Sequence, residues 1–159
     1  MIIGHLPSGY ILGKAVRISS PLAMGVLILG AVFPDFDLLW FCFVDNRAIH
    51  HHRYWVHAPG FWALVTLALL PLLWWAGQKA RKLWALFVMG TLLHCLLDTL
   101  TGGIMWGWPF NTELIHLITV QPTQSHWILS FVFHWTFLLE ILLWIVAGWL
   151  LLHPRPADG

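Results

Sequence analysis

The chain reads as four long apolar blocks separated by short polar stretches. The first runs from about Pro21 to Val44 and is interrupted by Pro34, Asp35 and Asp37. The second, Ala58 to Gly77, has no charged residue. The third, Leu83 to about Thr101, carries His94 and Asp98. The fourth, Trp127 to Leu152, carries His134 and Glu140. A helix needs about 20 apolar residues to cross a bilayer, so blocks two and four qualify on length. Block three qualifies if its polar residues face the protein interior. Block one is ambiguous, because Pro34 ends a helix of only about fourteen residues. The pattern predicts an all-α membrane bundle of about four membrane segments, the first an optional re-entrant hairpin. Residues 1–153 form the expected single domain, followed by a short polar tail, 154–159.

Composition supports a lipid environment. Of 159 residues, 59% are hydrophobic and 9% charged, against roughly 25% charged in soluble domains. So few charges do not cover a water-facing surface. Mean hydropathy is +0.76. Twelve tryptophans fit a chain with two membrane interfaces. Net charge is +1 and no basic stripe exists, so a nucleic-acid partner is not expected. Cys42 and Cys95 sit in apolar stretches, which is no disulfide framework. Lys14 and Arg17 precede an apolar run, but no small-residue cleavage site follows, so a cleaved signal peptide is not expected.

Basic loop residues set the orientation. Lys79, Arg81 and Lys82 lie between blocks two and three, which makes that side cytoplasmic and puts Arg155 with them. The loops after block one and after block three then lie on the other face. Asp37, His50 to His52, His57 and Asp98 converge there. His5 joins them if residues 8–18 form a short helix going in and 21–34 a second coming back.

The chemistry sits in three short motifs. His94 and Asp98 are four apart, which puts an imidazole and a carboxylate on one helical face, with Thr101 at i+7 available to orient a ligand. Charge inside a membrane helix is costly and marks a site or a partner. Taken alone, the pair is a weak signal that also reads as a buried His–Asp hydrogen bond holding helices together. Pro34-Asp35-Phe36-Asp37 leaves two carboxylates at a helix boundary. His50-His51-His52-Arg53-Tyr54-Trp55-Val56-His57 places four histidines in eight residues. Arg53 suits an anionic group, since guanidinium matches phosphate oxygens in bidentate fashion. It reads equally as an interface anchor or as the partner of Asp45. A multinuclear metal site accounts for all these groups at once. His116, His126 and His134 do not pair with the set by spacing. Glu140 reads as either a partner for a buried histidine or a further ligand.

These motifs resemble the LexA-regulated inner-membrane metal-dependent hydrolases, called YdjM-like or DUF457. That family's pattern is an N-terminal Gly-His, a Pro-Asp-x-Asp, a His-Arg-x-x-x-His, and a His-x-x-x-Asp-x-x-Thr leading to Gly and Pro. Here it is met by Gly4-His5, Pro34 to Asp37, His52 to His57, and His94 to Thr101 with Gly103 and Pro109, over residues 4–110. Tyr54, Val56 and Ala58 stand where the family usually has Gly, Thr and Ser. The family is distantly similar to zinc-dependent phospholipase C and P1-type nucleases, whose His and Asp ligands surround a zinc cluster.

The resemblance implies His5, Asp35, Asp37, His52, His57, His94 and Asp98 as metal ligands. A divalent cation, zinc foremost, is the implied cofactor. Arg53 and Asp98 are the implied catalytic residues, and a phosphoester or lipid-linked molecule is the implied substrate. It also implies a bacterial-type inner membrane, with the site on the non-cytoplasmic side by the basic-residue rule. The alternative is a non-enzymatic metal-binding or metal-transport protein, for which His134 and Glu140 would extend ionisable groups through the membrane depth.

Overall fold

The computed structural model describes residues 1–46, 48 and 51–153. His50 of the histidine run, and Arg155 with the rest of the expected tail, lie outside them. The described residues are all-helical apart from one isolated antiparallel bridge, Ile104 with Ile115. Seven α-helices follow in order: α1 His5–Ala15, α2 Pro21–Val32, α3 Asp37–Phe43, α4 Pro59–Ala76, α5 Gln78–Asp98, α6 Trp127–Val132 and α7 Phe137–Leu152.

Three stretches are long and apolar enough to cross a membrane: Pro21–Phe43, Pro59–Ala76 and Gln78–Asp98. The fourth apolar helix, α7, is shorter. Leu67, Leu72, Trp74 and Trp75 of α4 are all exposed. Exposed apolar side chains in such numbers are tolerable where the surrounding solvent is itself apolar.

Several helix bounds differ from those expected. The incoming helix is His5–Ala15 rather than residues 8–18, so His5 opens α1 instead of preceding it. Pro34 does not end block one. A 3-10 turn, Phe33–Phe36, carries the chain from α2 into α3 and puts Pro34 in its first turn, where a missing N–H costs little. Block three starts earlier and ends earlier than expected. Lys79, Arg81 and Lys82 lie within α5, and the reversal from α4 rests on Gly77 at φ 90°. Thr101 is therefore past the helix end and not on the His94 face. Block four is two helices. Between α6 and α7, the Nδ1 of His134 meets the hydroxyl of Thr136 at 2.9 Å and accepts its N–H at 3.4 Å. Such local side-chain bonds compete with continuous helix.

Glycines bring α2 and α5 into backbone contact. A Cβ at Gly30 would collide with the carbonyl of Phe87, and one at Gly90 with the carbonyl of Leu27. Small residues at a helix crossing allow this approach where lipid supplies no hydrophobic drive. The contact positions the chemistry, because one turn along the same face His94 donates to the Ala31 carbonyl at 2.8 Å. We expect Gly90→Val to force the helices apart and destabilise the detergent-solubilised protein by about 1–3 kcal/mol. Thermal unfolding against wild type would measure it, and an unchanged midpoint would refute the packing argument.

Candidate metal centre

Six elements deliver the polar side chains to one end of the bundle. The start of α1 brings His5, and the 3-10 turn after α2 brings Asp35. Asp37 opens α3. Two further 3-10 turns, His51–Arg53 and Trp55–His57, bring their histidines in, and the last turn of α5 brings His94 and Asp98. His57 precedes α4 and Asp98 ends α5, so both sit at the end of this helical pair away from Lys79, Arg81 and Lys82.

Asp98 is at the centre and is completely buried. Its Oδ1 lies 3.2 Å from Nε2 of His5 and also meets the Met1 amino group. Its Oδ2 lies 3.1 Å from Nε2 of His94, 3.4 Å from Nε2 of His52 and 3.9 Å from Nε2 of His57. Asp35 closes the ring, 3.8 Å from His5 and His94 and 3.9 Å from His57. Four imidazoles therefore point the same nitrogen, Nε2, at two carboxylates.

Three of the four rings are also held from behind. Nδ1 of His94 donates to Ala31 and Nδ1 of His52 donates to the Gly103 carbonyl at 3.0 Å. Nδ1 of His57 lies 2.9 Å from Oδ2 of Asp37. An acceptor behind an imidazole fixes its tautomer and aims the other nitrogen, as around protein-bound metals. The ring of His5 stacks on His94 with centroids 3.8 Å apart, and its Nδ1 has no hydrogen-bond partner among the described residues. Burial pushes His5 below the ordinary histidine range, with the Asp98 contact opposing. A neutral ring keeps a lone pair for a cation.

The donors fit a metal ion. Ligand atoms of His5, Asp35, His94 and Asp98 lie within 4.8 Å of one another, as do those of His51, His52 and His57. Bonds of about 2.0–2.2 Å in tetrahedral zinc put donors roughly 3.3–3.6 Å apart, and the closest His–Asp approaches here run from 3.1 to 3.8 Å. Both nitrogens of His5, Nε2 of His94 and Oδ2 of Asp98 are buried without a properly formed hydrogen bond. Burial in that condition is costly, and a cation among them would relieve it. Imidazole and carboxylate together suit zinc and its divalent neighbours.

The glycines after α5 do more than allow a tight exit. The Asp98 carbonyl accepts from the N–H groups of Thr101, Gly102 and Gly103, at 3.2, 2.7 and 3.1 Å. Gly103 takes φ 79°, a conformation that favours glycine. A Cβ on Gly102 would occupy the space of the His52 ring. Gly102 thus makes room for His52 while Gly103 supplies its acceptor.

A cavity of about 440 Å³ borders the cluster. Its lining includes the polar Asp35, His51 and His52 and the apolar Leu38, Phe41, Val120, Pro122 and Phe131. Arg53 is exposed, does not line this cavity, and forms no ion pair among the described residues. Asp45 instead accepts from the Tyr54 hydroxyl. Reduced hydration, then that hydrogen bond, push the Tyr54 phenol up to about 12. Ala58, the N-cap of α4, has no side-chain oxygen for the helix start, which Ser or Thr would supply.

Spacing did not reveal three participants. His51, left out of the ligand set, lies 3.8 Å from Asp37, and its place within the histidine run was the available signal. Gly102 is readable only once His52 is placed. Glu140 neither pairs with a histidine nor joins the donors. Its buried carboxyl group accepts from the Ile2 and Ile3 N–H groups. His116 and His126 stay apart from the cluster, the first exposed near Thr119 and the second capping α6.

An all-α membrane bundle with a buried His/Asp group able to hold a metal ion is the class these features define. The YdjM inner membrane protein family model matches residues 1–155, and the chain belongs to that family. No curated protein and no solved structure matches it.

We expect Asp37→Asn to retain the full metal stoichiometry while weakening affinity about 10–100-fold, as losses of orienting partners do. Zinc titration with elemental analysis would decide. Loss of a whole equivalent of metal would instead make Asp37 a direct ligand.

Proposed function

We propose that the protein is a membrane-bound metal-dependent hydrolase acting on a phosphoester within a lipid or lipid-linked substrate. The observation that carries this reading is the convergence of four Nε2 atoms on Asp98 and Asp35, three of the rings being anchored from behind. A purely structural polar cluster gains little from aiming lone pairs inward. It would instead use the inward nitrogens in well-formed hydrogen bonds.

His5, His52, His57, His94, Asp35 and Asp98 would hold the cation, with Asp37 fixing His57. When bound, a divalent ion supplies Lewis acidity and an acidified water near neutral pH. The chain's own residues do the remaining work. The histidine and carboxylate shell keeps the donors oriented. Leu38, Phe41, Val120, Pro122 and Phe131 offer an apolar wall to an acyl or isoprenoid chain, while the polar Asp35, His51 and His52 receive the headgroup. Pockets of this size and lining suit small amphiphiles. Arg53, exposed outside the cavity, is left without a phosphate to orient in this reading. By the positive-inside rule the basic residues of α5 favour a cytoplasmic opposite end, which supports a centre facing the non-cytoplasmic side.

Ion transport has less support. It calls for ionisable groups along the membrane depth, yet Glu140 is engaged by backbone N–H groups and His134 by Thr136.

The first test is elemental analysis of detergent-purified protein beside a His94→Ala, Asp98→Ala double variant. We expect about one or more zinc per wild-type chain and none in the variant. Wild-type protein without metal, even after zinc is supplied, refutes the reading. Metal-loaded protein should also release phosphate or headgroup from phosphoester lipids. Chelation should abolish this and zinc restore it. Tight metal binding with no hydrolysis across such lipids would favour the non-enzymatic alternative.

A further inference from the structure

Resting on the metal reading above, we propose that Glu140 is a positioning residue for the centre, acting through His5. Nδ1 of His94, His52 and His57 each lies within 3.0 Å of an oxygen, whereas the outer nitrogen of His5, Nδ1, has no hydrogen-bond partner among the described residues. Its ring position therefore depends on its stack with His94 and on where the backbone places it. That backbone is gripped from α7. Glu140 accepts from Ile2 N–H at 2.9 Å through Oε1 and from Ile3 N–H at 2.5 Å through Oε2. Four residues on, and so on the same helical face, the Trp144 indole N–H donates to the Ile3 carbonyl at 3.0 Å. The two side chains thus hold both hydrogen-bonding sides of the segment just before His5. Gly4 completes the fit, since a Cβ there would press on Met1 and come within 3.3 Å of Glu140 and Leu143.

A carboxyl group fully buried in an apolar helix is costly unless satisfied. Here backbone N–H groups satisfy it, and such bonds to an acidic side chain are among the stronger ones. Among the described residues the side chain belongs to no cluster of candidate ligands, so its link to the centre runs through the chain it holds. α7 contributes none of the donors, yet it determines whether His5 reaches Asp98.

The test is a double-mutant cycle on C-terminally tagged protein in detergent, read by cobalt affinity and the cobalt absorption spectrum. Glu140→Ala should weaken cobalt binding about 10–100-fold and alter the spectrum, as His5→Ala does. The double variant should be no weaker than His5→Ala alone. Amide exchange at residues 2–5 should also quicken in metal-free Glu140→Ala. If that variant fails to fold, Glu140→Gln and Trp144→Phe carry the same comparison with smaller effects. Unchanged cobalt affinity, or an equal loss in the His5→Ala background, would overturn the proposal. Wild-type protein that binds no cobalt overturns the metal reading as well. A wild type that binds it, with Glu140 variants indistinguishable from it, overturns this inference alone.

Discussion

Everything at the working end of the bundle is arranged around the burial of one carboxylate. Asp98 ends a membrane helix with no exposed surface, and a bare charge there would be expelled or neutralised. The surroundings meet it from several directions in sequence: the start of α1, the histidine-rich turns and its own helix one turn back. Asp35 adds a second carboxylate at the rim. Two acids among four imidazoles make a site able to hold a metal ion.

The architecture outside the site follows from the same demand for precision. The α2–α5 crossing is close because glycine faces backbone on both sides. That closeness makes Ala31, an otherwise featureless position, the acceptor for His94. At the other edge, the Gly102-Gly103 turn wraps the Asp98 carbonyl and seats His52. Residues without chemistry of their own thus set the geometry of those that have it.

Much of this was legible in the chain. The apolar blocks gave the helical class, and the His94–Asp98 spacing gave a shared face that the structure retains. The inward placement of His5 followed from a hairpin whose ends were slightly misplaced, because Gly4 and Pro7 permit an earlier helix start than the apolar run suggests. Pro34 misled as a terminator, since proline in the first turn of a 3-10 segment is tolerated. The break in block four depended on a His134–Thr136 bond that apolar periodicity does not register. Glu140 was conspicuous but unreadable, because its partners are backbone groups more than 130 residues away.

The stretch between α5 and α6 has a separate consequence. It doubles back over the end of α5, where Leu117 and Ile118 donate to the Thr99 and Leu100 carbonyls, and it adds Val120 and Pro122 to the cavity wall. The histidines and carboxylates come from other parts of the chain. The cavity wall at Val120 and Pro122 is therefore built on a different segment from the candidate donors, so changes there reshape the cavity while the Gly102-Gly103 turn that seats His52 stays in place.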